Sequence, residues 1–146
     1  LYDISGDKMK LILDFPTIGE PHYANGIEAE KIKKNQKKFY SLAENKHPQA
    51  SRNEKEVGVS RNGKTVHVRM AAIRSHFSPD NIEGVQVGDT VLFHITNLEQ
   101  DWDIPHGFAV KGDNSANILI MPGETQTLRW EPDRVGVIPF YCTDFC

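Results

Sequence analysis

Residues 66–72 read Val66-His67-Val68-Arg69-Met70-Ala71-Ala72, so that every second side chain, beginning with Val66, is apolar and faces the same way. A period of two indicates a β-strand with one buried face. The same period recurs in residues 91–95 and 108–110. Turn-forming residues separate such stretches at short intervals, which is typical of an antiparallel β-sandwich. We therefore expect an all-β fold from residue 64 onward.

Length and charge restrict the class of protein. The chain has 146 residues, enough for one domain or for one domain and the tail of another. It carries 17 Lys and Arg against 20 Asp and Glu, a net charge of -3. A nucleic-acid-binding domain is usually strongly basic, so nucleic acid is not an expected partner. The apolar runs fall short of the ~18 residues that a membrane-spanning helix needs, so no membrane span is expected.

Composition divides the chain into three stretches. Residues 1–26 contain an extended apolar run at 9–13 and then a loop that is broken by proline and glycine. Residues 27–63 are polar and rich in lysine, as in a connector between domains. Residues 64–146 carry the β pattern.

Both cysteines lie in the segment Cys142-Thr143-Asp144-Phe145-Cys146, and a histidine lies upstream in Asp103-Ile104-Pro105-His106-Gly107-Phe108. Thiolate together with imidazole is a ligand set that suits copper. Two thiolates from one turn can bridge two copper ions and offset most of their charge, which makes burial of the ions tolerable. We expect Asp144 to contribute only through its backbone carbonyl, and Asp103 either to orient a ligand or to cap the turn.

Other interpretations of these residues stay open. Cys142 and Cys146 can instead form a disulfide, since a loop of this length can bring their Cα atoms within the ~7 Å limit. His106 alone, in a Pro-His-Gly turn, is more often a surface or capped histidine than a ligand. We assign no metal to the remaining histidines of the β region and connector, which are His47, His67, His76 and His94.

Three motifs together carry a specific resemblance: Asp-x-x-His-Gly-Phe at 103–108, Pro-Gly-Glu-Thr at 122–125 and Phe-Tyr-Cys-x-x-x-Cys at 140–146. They resemble the dinuclear copper A domain of nitrous-oxide reductase, a cupredoxin-like Greek-key β-sandwich. The cysteine motif also occurs in the copper A domain of cytochrome c oxidase subunit II. The resemblance implies that His106, Cys142 and Cys146 are copper ligands and that Asp144 is the carbonyl donor. The family pattern continues to a further His and Met, so we expect this domain to be truncated at its C-terminus.

The N-terminal residues resemble the same family. Residues 4–11, followed by Pro16-Thr17-Ile18-Gly19-Glu20-Pro21-His22, resemble the end of the nitrous-oxide reductase β-propeller. The resemblance implies that His22 is a catalytic ligand of the copper Z cluster. The expected organisation is a propeller tail at 1–26, a connector at 27–63 and a truncated cupredoxin domain at 64–146.

The resemblance implies a function as well. The chain is expected to be a C-terminal fragment of an enzyme that reduces N₂O to N₂ and water in denitrification, and to be inactive alone. Electrons would enter at copper A from a c-type cytochrome or small cupredoxin and pass to copper Z. A periplasmic homodimer is implied, and calcium is a further cofactor that the full-length family allows. Two alternatives remain: a non-enzymatic copper A carrier like cytochrome c oxidase subunit II, and a disulfide-closed sandwich without metal.

Overall fold

The computed structural model describes residues 2–3, 10–11, 41–74, 76–101, 103–113 and 116–144. Contacts between Cα atoms divide the chain into two compact units, Leu1–Lys37 and Lys38–Cys146. In the first unit, β1 (Tyr2–Asp3) pairs antiparallel with β2 (Lys10–Leu11). His22 lies outside the described residues, as does most of the expected propeller tail.

The second unit is built almost entirely from strands. A single turn of 3₁₀ helix at Leu42–Glu44 precedes them. The strands are β3 (Gly58–Asn62), β4 (Thr65–Ile73), β5 (His76–Ser78), β6 (Thr90–Asn97), β7 (His106–Val110), β8 (Asn117–Ile120), β9 (Thr125–Trp130) and β10 (Phe140–Tyr141). The expectation of an all-β fold is therefore confirmed.

The strands form two sheets. One has the order β3-β4-β6-β9 with β5 added on β4, and the other has the order β10-β7-β8. The expected sandwich is confirmed, but the expectation that its strands pair antiparallel was wrong for β4 and β6, which run parallel from Thr65↔Thr90 to Ala72↔Asn97. The physical reason is the intervening chain. Strand β5 turns back along β4, and residues 79–89 then return the chain to the end from which β4 started.

The core lies between the two sheets. The face of β4 predicted from its alternation is buried, since Val66, Val68 and Met70 are at most 2% exposed. Phe108 of β7 lies at the centre, with its ring centroid 5.1 Å from that of Phe93. Burying each such side chain contributes about 1.5–3 kcal/mol, so this packing is what joins the sheets.

The other face of the larger sheet is partly covered by the chain that precedes it. The amide of Ser51 donates to Thr96 Oγ1 at 2.9 Å, and Asn45 Nδ2 donates to Thr125 Oγ1 at 2.7 Å. Strand β3 lies inside the stretch predicted as connector and pairs with β4 along its length. The predicted boundaries at 26 and 63 stay predictions.

Among the described residues, none belongs to a helix long and apolar enough to cross a membrane.

Candidate metal centre

His106 is the first residue of β7, and hydrogen bonds from the Asn97 side chain hold the loop that precedes it. The Asn97 side chain is fully buried, and its Nδ2 donates to the carbonyl oxygens of Ile104 at 2.9 Å and Ile120 at 3.0 Å. These bonds fix the chain that enters β7 against the end of β8. His106 is itself 1% exposed, so its imidazole lies in the protein and not in solvent.

The Pro-Gly-Glu-Thr motif builds a turn beside Asn97. The amide of Met121 donates to Glu124 Oε2 at 2.9 Å, and the Glu124 amide donates to the Met121 carbonyl at 2.9 Å. Gly123 has a φ of 76°, a conformation that glycine adopts without strain, and its amide donates to the Asn97 carbonyl. The motif therefore stabilises the position of Asn97 next to the site, and none of its residues is a predicted ligand.

The cysteine loop lies directly on Gly107. The Thr143 amide donates to the Gly107 carbonyl at 3.2 Å, and the Gly107 amide donates to the Asp144 carbonyl at 3.4 Å. A Cβ atom at residue 107 would collide with Thr143 Oγ1 and lie 3.0 Å from the Asp144 nitrogen. Glycine follows the histidine because only a residue without a side chain lets the loop approach this closely.

This packing brings three of the predicted site residues together. His106 Nδ1 lies 4.0 Å from Cys142 Sγ, and the same sulfur lies 2.8 Å from the Asp144 carbonyl oxygen. In zinc sites a metal lies ~2.3 Å from a thiolate sulfur and ~2.0 Å from an imidazole nitrogen, so one ion can bridge two such atoms up to about 4.3 Å apart. The separation of His106 and Cys142 fits a shared metal ion of similar size.

Cys142 is disulfide-bonded in this structure, and no described cysteine is free. The disulfide was one of the interpretations that the sequence left open. Because metals bind the thiolate, the site can accept copper only after reduction. Within residues 41–144, apart from the few that are not described, no group of three or more His, Cys, Asp or Glu is arranged to hold a metal. Cys146 and His22 lie outside the described residues, and the ligand assignments stay predictions.

Glu99 is a site residue that sequence reasoning missed. Its Oε1 lies 3.1 Å from His106 Nε2 and accepts the Arg74 amide at 2.6 Å. The Glu99 amide in turn donates to Asn97 Oδ1 at 2.9 Å. A carboxylate on one ring nitrogen fixes the orientation of an imidazole whose other nitrogen faces the metal. The sequence suggests Asp103 for this role, but the carboxylate in contact with His106 is that of Glu99.

The chain was compared with known proteins. No protein-family profile matches it. It is 38% identical over 146 residues to nitrous-oxide reductase of Cupriavidus necator, covering 100% of this chain and 22% of that protein. It is 32% identical over 152 residues to nitrous-oxide reductase of Stutzerimonas stutzeri, again covering 100% of this chain but 24% of the relative.

A second kind of relative matches only part of the chain. Cytochrome c oxidase subunit 2 of Thermus thermophilus is 34% identical over 79 residues, or 54% of this chain and 54% of that protein. This match agrees with the observed sandwich and confirms the predicted cupredoxin-like domain. The chain spans less than a quarter of the reductases that it matches from end to end. The predicted resemblance to nitrous-oxide reductase is thus confirmed along the whole chain.

Proposed function

We propose that this chain is the electron-entry part of a nitrous-oxide reductase, in which its cupredoxin domain holds a dinuclear copper A centre. The observation that supports this proposal most directly is the 4.0 Å separation of His106 Nδ1 and Cys142 Sγ. It occurs in a chain whose whole length is similar to such reductases. After reduction of the disulfide, His106, Cys142, Cys146 and the Asp144 carbonyl would hold the metal.

The donor set is suited to this role. Soft thiolates and an imidazole favour copper over harder cations. When bound, the copper pair would supply one-electron transfer. Two thiolates offset much of the positive charge, so the centre can lie in a largely buried site.

The residues around the site restrict its movement. Glu99 holds the His106 ring, Asn97 holds the loop before it, and Gly107 lets the cysteine loop pack on β7. A ligand frame that moves little when the charge of the centre changes favours fast electron transfer. The buried position of His106 also keeps water away from this ligand.

The rest of the function belongs to the longer protein. We propose that His22 is a ligand of a copper Z cluster at which N₂O, two electrons and two protons give N₂ and water. A c-type cytochrome or small cupredoxin would be the electron donor. The protein would be a periplasmic homodimer, with residues 1–26 as propeller tail, 27–63 as connector and 64–146 as cupredoxin domain.

A second candidate is a copper A domain that only carries electrons. The similarity to cytochrome c oxidase subunit 2 supports this second candidate, within the 79 residues that align. The two candidates differ at His22, because a pure carrier needs no ligand there. The sequence upstream of Leu1 separates them as well: a propeller with further histidines supports the reductase, and a membrane hairpin supports the oxidase.

The copper centre is tested by adding copper to the full-length protein after its disulfide has been reduced. We expect a purple, mixed-valence species whose EPR spectrum shows one unpaired electron coupled to both copper nuclei. The variant Cys142→Ser should lose this signal. A protein that keeps its thiols reduced and accessible yet binds no copper would refute the assignment.

The catalytic part needs a separate readout. His22→Ala in the full-length protein should abolish N₂O reduction and leave the mixed-valence EPR signal unchanged. If His22→Ala still reduced N₂O, His22 would not be a ligand of the catalytic cluster, whether or not the mixed-valence EPR signal of copper A was observed.

A further inference from the structure

Three histidines that have no part in the metal centre form a connected cluster on the outer face of the larger sheet. His67 Nδ1 lies 2.9 Å from His94 Nε2, and the two rings stack with their centroids 5.2 Å apart. His94 Nδ1 lies 2.8 Å from Thr127 Oγ1, which lies 3.2 Å from His47 Nε2. The chain of contacts thus runs from β4 through β6 and β9 to the segment before β3.

His47 belongs to residues 45–51, which cross this face of the sheet; we call them the strap. Inside the strap, the Gln49 amide donates to His47 Nδ1 at 3.1 Å. The strap is bound to the rest of the domain mainly through side chains. The Ser51 amide donates to Thr96 Oγ1, Arg69 Nη2 donates to the Ala50 carbonyl at 2.8 Å, and Asn45 Nδ2 donates to Thr125 Oγ1 and to the Gly123 carbonyl at 2.9 Å. A segment held by a small number of side-chain hydrogen bonds opens more easily than a strand paired along its length in a sheet.

The hydrogen bonds of the cluster depend on its protons. A neutral imidazole has one donor and one acceptor nitrogen, whereas a protonated ring has two donors. The contact between His67 and His94 therefore needs one ring to stay neutral. If both rings are charged, the bond is lost and two positive charges face each other at 2.9 Å.

The surroundings favour the neutral state of His94. Its side chain is 5% exposed, and this burial, followed by the charges of His67, His47 and Arg69, lowers its pKa to about 4. Arg69 is itself 3.7 Å from Glu56, which lies just beyond the strap.

The other charged groups near this face pair with one another and not with the histidines. Arg129, on the same face of β9, pairs with Glu131. Within the described part of the chain, no carboxylate forms an ion pair with His47, His67 or His94.

We propose that the cluster is a proton-operated latch: uptake of a proton by the buried His94 ring breaks the chain of hydrogen bonds from His67 to His47 and releases the strap while the sandwich stays folded. A released strap exposes His94 to water, where its ordinary pKa of 6.5 applies. The open state then binds more protons than the closed state at pH values between about 4 and 6.5, so acidification in that range favours opening.

The experiment is amide hydrogen exchange on this chain at several pH values, corrected for intrinsic exchange rates. Protection of the Gln49 and Ser51 amides should fall by up to about tenfold per pH unit between pH 6.5 and 4, because one proton is taken up on opening. Protection of the Ile95 amide in β6 should stay constant and report that the sandwich is folded. Strap protection that stays constant between pH 7 and 4.5 would overturn the proposal.

Variants separate the latch from a general effect of acid. His94→Gln keeps a polar side chain but cannot titrate, so it should flatten the pH dependence of strap protection. His67→Gln removes the ring that contacts His94 Nε2 and helps to lower the pKa of His94, so it should reduce that pH dependence as well. If the buried His94→Gln does not fold, the half-buried His67→Gln alone decides. The matched control is His76→Gln, because His76 pairs with Glu54 at 2.5 Å outside the cluster. A pH dependence abolished by His76→Gln and retained in His67→Gln would also overturn the proposal.

Discussion

The carboxylate of Glu99 lies 3.1 Å from Nε2 of His106 and so turns the other ring nitrogen towards the sulfur of Cys142. Both side chains are nearly enclosed, at 12% and 2% exposure, so water competes little for the contact. The pair explains how a histidine at the start of a strand is held in one orientation before any metal binds. Its strength can be tested without measuring turnover.

Glu99→Gln retains the size of the side chain and removes its charge. We expect the copper affinity of the reduced full-length protein to fall about 10–100-fold, the usual cost of losing a group that orients a metal ligand. A competition titration against a chelator measures this. Glu83→Gln is the matched control, because Glu83 is exposed and contacts Asn81. Equal affinities for the Glu99 and Glu83 variants would mean that Glu99 does not orient the ligand.

Gly107→Ala should destabilise the domain, because the added Cβ would collide with Thr143 Oγ1. Overpacking of this kind costs about 1–3 kcal/mol. The free energy of unfolding in urea gives the value, and copper affinity should fall with it as the cysteine loop is displaced. Gly58→Ala is a suitable control, since a Cβ there has no atom within 4 Å. If both alanine variants were equally stable, the close approach at Gly107 would be refuted.

Much of the fold could be predicted from local pattern, because alternation reports which face of a strand is buried. It worked for β4, where Val68 is fully buried and His67 lies on the opposite face. Alternation does not report the partner of a strand or its direction. The parallel pairing of β4 with β6 depends on how residues 79–89 return, and no local signal encodes that.

The site shows the same division. The motifs around His106 and Cys142 identified residues that the structure brings together. Glu99 could not be identified, because it is one of several acidic residues in a polar loop and its role depends on the bonds that Asn97 makes. The burial of His94 could not be predicted either, because the strap that covers it has the polar composition of a connector.

Asn97 should be essential for the geometry of the site. Asn97→Ala leaves the carbonyl oxygens of Ile104 and Ile120 without their donor, and each buried unsatisfied group costs about 1–3 kcal/mol. We expect a loss of at least about 2 kcal/mol in thermal or urea unfolding, together with a perturbed NMR signal of the His106 ring. Asn62→Ala, at an exposed position in β3, should change neither. An unperturbed His106 signal in Asn97→Ala would show that the loop before β7 keeps its conformation without the Asn97 hydrogen bonds.

Asp89 should make stability depend on pH in a range separate from that of the histidine cluster. Its carboxylate accepts two bonds from Arg61, at 2.8 and 2.7 Å, and one from the Gln86 amide at 2.7 Å. These bonds, the Arg61 contribution being the largest, lower the pKa of Asp89 from 3.8 to about 2. The folded state therefore binds fewer protons than the unfolded state between these values, so the stabilisation is complete above about pH 4 and is lost as the pH falls towards 2.

The variant Asp89→Asn should be less stable at pH 6 and should lose less stability than the parent chain on acidification from pH 4 to 2. Urea unfolding at each pH measures both effects. Asp133→Asn serves as the control, because the Asp133 side chain is 75% exposed and a surface ion pair of this kind contributes little. A parent chain and an Asp89→Asn variant with parallel stability curves below pH 4 would show that the Arg61 bonds do not select the charged form of Asp89.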